Sequence, residues 1–255
     1  MKKMLLGIWL MAGMVTFSSA ATRGDVKVLE AADTIRSVSD NLAQAYLLYT
    51  LFPQKKGLKE KMKSELEALP KGFQDIAVAT RDERTRGLLS FFAYQKARAD
   101  AIVQAPRPSR ELADEMLEMS QSFVEGAESI ARHHAYNFSQ EEQMFMLTRT
   151  MQRDLASLAK YYTAWQLFPD DPSLSQKIKK ILEQFEGALK RLNTYPYKDP
   201  KMEQVRTTLN ALWKTVRPYW EQKTPQGGLP LVLSLATDRM TDLLGTLGVY
   251  HSKNQ

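Results

Sequence analysis

Apolar residues recur at every third or fourth position along most of the chain, the rhythm of helices buried along one face. Val28, Ala32, Ile35, Leu42, Tyr46 and Tyr49 form one such stripe, which predicts a first helix ending at Phe52-Pro53. Proline lacks an amide donor and disfavours helical geometry in the residue before it, hence the stop. Leu58, Met62, Leu66, Leu69, Phe73 and Ile76 predict a second helix, disturbed at Pro70. Leu88, Leu89, Phe92 and Ile102 predict a third, which ends before Pro106 and Pro108. Ser109 is placed to cap a fourth, running through Leu112, Met116, Met119, Phe123, Ala127 and Ile130. Beyond it, Ser139 and Glu142 have the spacing of a capping box, which satisfies two orphan amides at a helix start. Asp171-Pro172 and Asp199-Pro200 each set a capping acid before a proline at the first helical position, where its missing donor costs nothing. A last helix follows Gly227-Gly228 and carries Leu231, Leu235, Met240, Leu243, Leu244 and Leu247. The pattern predicts an all-α chain of eight helices and no strand.

These helices fall into two sets of four. A shift of 116 residues lays Leu42-Ala43 on Leu158-Ala159, Tyr46 on Tyr162, and Leu51-Phe52-Pro53 on Leu167-Phe168-Pro169. Leu58, Lys61, Lys63, Leu66 and Glu67 then meet Leu174, Lys177, Lys179, Leu182 and Glu183. Helical periodicity alone would match leucines, but not the Leu-Phe-Pro stop. The fourth helices align at the same shift, Leu117 and Met119 on Leu233 and Leu235, while the third need extra residues supplied by Tyr195-Pro196-Tyr197. The expected architecture is two tandem antiparallel four-helix-bundle units related by internal duplication, over 21–136 and 137–255.

The first 20 residues read differently. Lys2 and Lys3 precede an apolar run from Met4 to Phe17, and Ser18-Ser19-Ala20 offers small residues for cleavage after Ala20, or after Ala21. The run is shorter than the ~20 residues that span a bilayer, so a signal peptide is expected and the alternative is an uncleaved anchor. That predicts a periplasmic protein, not membrane-spanning after leader removal. Without the two leader lysines the net charge falls from +6 to +4, and Lys and Glu are mixed along the same segments, which argues against a nucleic-acid stripe. There is no cysteine, which excludes disulfides and thiol chemistry, so stability must come from packing.

The segment from Arg36 to Leu48 resembles the first helix of a bacterial sensory module. That module is the N-terminal domain of type IV pilus methyl-accepting chemotaxis transducers (PilJ-type), shared with nitrate/nitrite sensor histidine kinases. Arg36, Ser39, Leu42, Ala43, Ala45, Tyr46 and Leu47 keep its pattern, and Gln152, Leu158, Ala159, Lys160 and Tyr162 keep a thinner version. Leu229 to Leu247 is similar to its last helix. The resemblance implies a periplasmic antiparallel four-helix bundle that senses small ligands or partner proteins, with a homodimer as one arrangement. It also implies an anion near Arg36 and Ser39, since the matching arginine of the nitrate sensors holds the anion at a dimer interface. The sequence departs from that pattern at Asp33-Thr34, where Ala-Gly is expected, and at Asn41, where a second arginine is. No transmembrane exit or signalling domain is found in the sequence, so a separate membrane receptor or envelope protein is the expected partner.

Arg36 is the sharpest single candidate, because a guanidinium presents a planar fork of donors and stays charged. The bland alternative is pairing with Asp33 or Asp40. Tyr46 and Tyr49 match Tyr162 and Trp165 in the second set. They are expected to seal the bundle ends with their polar tips reaching solvent, or to line a pocket there. Trp220, beyond Pro218, is a candidate exposed anchor for a partner. His133-His134 point about 100° apart on a helix and cannot share an ion, and no nucleophile elbow or phosphate loop is present. A non-enzymatic binding role without cofactor or metal is expected, and a ligand-free structural or interaction protein of the envelope or pilus is the alternative.

Overall fold

A computed structural model describes residues 23–80, 82–132, 138–222 and 227–254. The leader and His133-His134 lie outside the described residues. Within them the chain forms eight α-helices: α1 (Arg23–Leu51), α2 (Leu58–Ala79), α3 (Glu83–Gln104), α4 (Arg110–Arg132), α5 (Gln140–Leu167), α6 (Pro172–Thr194), α7 (Pro200–Val216) and α8 (Leu229–Lys253). No strand occurs among the described residues, and no helix among them is long and apolar enough to cross a membrane.

The helix starts follow the local chemistry. The Leu112 amide donates to Ser109 Oγ at 3.2 Å, and Ser139 with Glu142 forms the full capping box. Asp171 and Asp199 accept from the amides of Ser173 and Lys201, each with a proline in the first turn. The start of α2 uses a different device from that of α6. Gly57 takes φ 88°, a left-handed conformation that a side chain disfavours, to turn the chain after Pro53. Pro70 does not break α2, contrary to the expected disturbance. It sits on the exposed face, while Leu66, Leu69 and Ile76 on either side are buried, so tertiary packing outweighs one missing hydrogen bond.

Helices α1 to α4 close a ring of contacts around one core, α1 on α2 and α4, and α3 on the same two. Phe73, Phe92 and Phe123 stack there with centroids 5.4 to 6.0 Å apart. At Gly126 a Cβ would come within 2.5 Å of the Phe92 ring, so glycine is what lets α3 and α4 close over it. Helices α5 to α8 enclose a second core, with Phe185 against Trp213 at 4.3 Å.

The buried positions repeat with the sequence. Val28, Ile35, Leu42 and Leu47 are buried on α1, and Met144, Met151, Leu158 and Thr163, each 116 residues on, are buried on α5. Leu58, Met62, Leu66 and Ile76 on α2 match Leu174, Ile178, Leu182 and Leu192 on α6 at the same shift. The fourth helices repeat at a shift of 117: Ala113, Met116, Phe123 and Ile130 against Pro230, Leu233, Met240 and Leu247. That one-residue difference puts Leu235, expected in the apolar stripe, 68% exposed.

The two cores meet along α1 and α5. Arg149 donates to Thr34, Arg153 to Asp33, and Ser157 and Lys160 to Asp40. From Glu30 with Arg149 to Asp40 with Lys160 the partner numbers rise along both helices, so α1 and α5 run parallel, with matching stretches of the two halves at the same height. α4 and α6 flank one side of this seam, and α2 and α8 the other, where Lys61 meets Asp238 at 3.0 Å.

At the seam's centre Lys160 and Asp40 are fully buried and paired, with Ser120 of α4 bonded to both. The paired carboxylate overcomes burial and holds the Lys160 ammonium above its ordinary pKa. Removing one member strands the other charge in a dry interface. Lys160→Met should therefore cost about 3–5 kcal/mol in urea unfolding, and adding Asp40→Asn should recover most of that loss. Equal losses for the single and double variants would show that the pairing is not what holds the seam.

Candidate functional site

Arg36 lies on the α4–α6 side of the seam with its side chain 12% exposed. Its Nη1 donates to Asp33 at 3.3 Å and its Nη2 to Glu128 of α4 at 2.6 Å. Arg153, from the other half, donates to the same Asp33 oxygen at 3.2 Å and lies 3.4 Å from Asp154. Asp33 thus bridges two guanidiniums, one from each half. Burial first, then the neighbouring Arg153 charge, lower the Arg36 pKa from the usual guanidinium value, against the pull of Asp33, Glu128 and Asp40. The Nε of Arg36 is buried and has no acceptor. Burial likewise raises Asp154, although Arg153 works against it.

Outside these residues opens a groove of about 300 Å³, bounded by α1, α4, α5 and α6. Lys177 and Lys180 of α6 line it, and no described carboxylate is within ion-pair distance of either. Lys160 and Lys177 both lie over the Tyr161 ring, at 4.3 and 4.9 Å, and the phenol donates to Gln121 at 2.9 Å. The groove therefore gathers cations from both halves around a half-buried aromatic ring. A small anion with several acceptor oxygens fits such a donor set better than a metal or a large apolar ligand.

Compared with protein-family models, curated proteins and solved structures, the chain matches none.

The other expected residues fall elsewhere. Ser39 is buried and donates to the Arg36 carbonyl on its own helix, so its hydroxyl is spent locally rather than offered to a ligand. Tyr46 and Tyr162 are buried within the two cores, and their tips do not reach solvent as expected. Their rings fill the bundle ends, and Tyr162 donates to the Gln222 carbonyl at 3.0 Å. Tyr49 and Trp165 lean edge-on against them with one geometry, 6.5 Å at 72° and 6.5 Å at 73°. Trp220 is not an exposed anchor but fully buried. Pro218 ends α7 in a short 3₁₀ turn over Arg217–Tyr219, which rolls the indole inward onto Tyr162 at 5.4 Å, where it is the largest fully buried side chain among the described residues. Tyr219 takes the exposed position instead.

Two clusters were not anticipated. His251, near the end of α8, is completely buried, with Nδ1 2.7 Å from Glu141 and Nε2 2.9 Å from the Tyr197 hydroxyl. Tyr195 donates to the other Glu141 oxygen. Burial pushes both tyrosines up, the opposite of an activated nucleophile, so the cluster ties α5, the α6–α7 loop and α8 together rather than offering a reactive group.

The second cluster lies on the α2–α8 side of the seam. Burial raises Glu65 to about 7, helped by Asp238 and opposed by Lys61 and Asn41. Its folded form holds a proton more tightly than the unfolded chain. The associated stability is fully present below about pH 4.5 and is lost as pH rises through 7. Relative to Glu65→Gln, the wild-type melting temperature should fall between pH 5 and pH 8, by on the order of 2 °C or more. Parallel pH profiles for the two proteins would refute this.

Proposed function

We propose that the chain is a non-enzymatic, exported helical binding module of the sensory type, built by duplication so that one chain carries both halves of a dimer-like pair. Its ligand is a small anion held in the groove between α1, α4, α5 and α6, and it acts in the periplasm with a separate membrane receptor. One observation carries this reading: at the parallel α1–α5 seam, Arg36 and Arg153 from opposite halves converge, with Lys177 and Lys180 at the groove's edge. Two half-buried like charges near each other destabilise one another, and an anion would relieve that as well as the unanswered Arg36 Nε. The repeated burial of α1 with α5 and of α2 with α6 at one shift supports the duplication. Arg36, Leu42, Ala43, Tyr46 and Leu47 support the likeness to the type IV pilus transducer and nitrate sensor domain.

A second reading is favoured by a different observation. Both guanidiniums already face carboxylates, Asp33, Glu128 and Asp154, which is how a ligand-free interaction protein of the envelope or pilus would neutralise its seam.

Calorimetric titration of nitrate and nitrite separates the two. On the binding reading, Arg36→Ala and Lys177→Gln each weaken binding at least tenfold, about 1.4 kcal/mol, and the anion raises the wild-type melting temperature. Equal heats for wild type and Arg36→Ala, or no thermal shift with any small anion, would favour the interaction protein.

A further inference from the structure

Six arginines among the described residues are half-buried: Arg36, Arg98, Arg149, Arg153, Arg206 and Arg217. Five have a carboxylate within ion-pair distance. Arg149 has none among the described residues. Its Nη2 donates to Thr34 Oγ1 at 2.7 Å and reaches the Glu30 carbonyl at 3.4 Å. The guanidinium is thus fixed along one edge by neutral acceptors, while its charge stays uncompensated at short range. Taking a cation partly out of water without a counter-ion is costly, and an unmatched one calls for an anionic partner.

Arg149 faces a cleft of about 800 Å³ between α1, α2 and α5, away from the Arg36 groove, which α4 and α6 bound. That volume is within the range of small-molecule sites. Phe145, one turn before Arg149 on α5, together with Ala31, Val78 and Ala79, gives the cleft an apolar wall. Lys71 at its rim is already bonded to Asp75 at 2.7 Å, and Lys27 stands opposite. Burial raises the Glu30 carboxyl, against the pull of Arg149 and Lys27, and Asp75 is the other acidic group lining the cleft. A smaller hollow of about 190 Å³ shares Thr34 and Arg149 and extends the trough along the seam to Thr241.

We infer that this cleft is a second binding site, for a small amphipathic monocarboxylate whose carboxylate pairs with Arg149 while its hydrocarbon part lies on Phe145 and the alanine wall. A single guanidinium fork matches one carboxylate, and with Lys71 held by Asp75 and Lys27 exposed to water, Arg149 is the one half-buried cation lining the cleft among the described residues. The inference rests on Arg149, not on the anion reading of the Arg36 groove, and survives if that reading fails.

The probe is hexanoate, titrated by calorimetry into the purified full chain, with hexan-1-ol and inorganic phosphate as controls. Hexanoate should bind, with hexanol and phosphate at least tenfold weaker. Arg149→Gln should lose at least tenfold in hexanoate affinity, whereas Lys177→Gln, in the other groove, should leave it unchanged. Val78→Asp changes a side chain that is 82% exposed at the cleft mouth, so it keeps the test open if Arg149→Gln fails to fold. It should weaken hexanoate through charge repulsion while the circular dichroism spectrum stays helical. No hexanoate binding, equal binding of hexanol, tighter binding of phosphate, or unchanged affinity in Arg149→Gln or Val78→Asp would each overturn the proposal.

Discussion

Asp40 and Lys160 are buried where α1 and α5 run side by side, and their pairing fixes how the halves of the molecule meet. Each half has its own core, and Ala164 and Leu174 are the buried residues of the second half that join the first core. What joins them is narrower: two long helices in parallel, a charge pair at the centre, and Tyr161 and Trp165, which pack against both cores. A buried ion pair is weak evidence for extra stability, because desolvation offsets much of the attraction. It is better evidence for register. Sliding α5 by one turn along α1 would leave both charges in a dry interface with no partner, at a cost of about 3–5 kcal/mol.

That register decides what the surface on either side can do. On the α4–α6 side it brings Arg36 to Arg153, and on the α2–α8 side it brings Lys61 to Asp238 and sets Glu65 beside them. The positions matching Arg36 and Arg153 at a shift of 116 are Gln152 and Ser37, which line the other side of the same seam. Gln152 spends its amide on the Thr241 carbonyl. The two sides thus carry different chemistry, with Arg36 and Arg153 on one and Ser37 and Gln152 at the matching positions on the other.

Much of the local structure was legible in the sequence because it is decided within a turn or two. The stop at Phe52-Pro53, the caps at Ser109, Ser139, Asp171 and Asp199, and the stripes of α1, α2 and α4 all depend on near neighbours. Misreadings came where a distant partner or a small shift in phase decides. Leu235 repeats Met119 by number, but α8 packs one residue out of phase, so it faces outward. Trp220, expected as an exposed anchor beyond Pro218, is swung inward by the short turn there. Of the candidate site, Arg36 and its pairing with Asp33 could be read from spacing along one helix. Arg153, Lys177 and Glu128 could not, since only the packing of four helices brings them together. The same holds for His251, whose partners lie at the far ends of α5 and the α6–α7 loop. A buried histidine in a polar last turn leaves no periodic signal.

On the duplication reading, linking two sensory-type units in one chain changes the physics of the seam. A symmetric dimer presents the same residues on both sides of its axis, so a residue that suits one groove is imposed on the other. Within one chain that constraint is gone, and the second unit is held at high effective concentration whatever the strength of the seam contacts. The seam can then hold a pair such as Asp40 with Lys160 once, where a symmetric dimer would repeat it on both sides of its axis. The positions matching Asp40 and Lys160 are Ala156 and Gln44, both buried and uncharged, so the charge pair exists once, on one side of the axis. An interaction of opposite charges that occurs once is something only an asymmetric seam can hold, and on the duplication reading the same freedom lets the two grooves beside it differ.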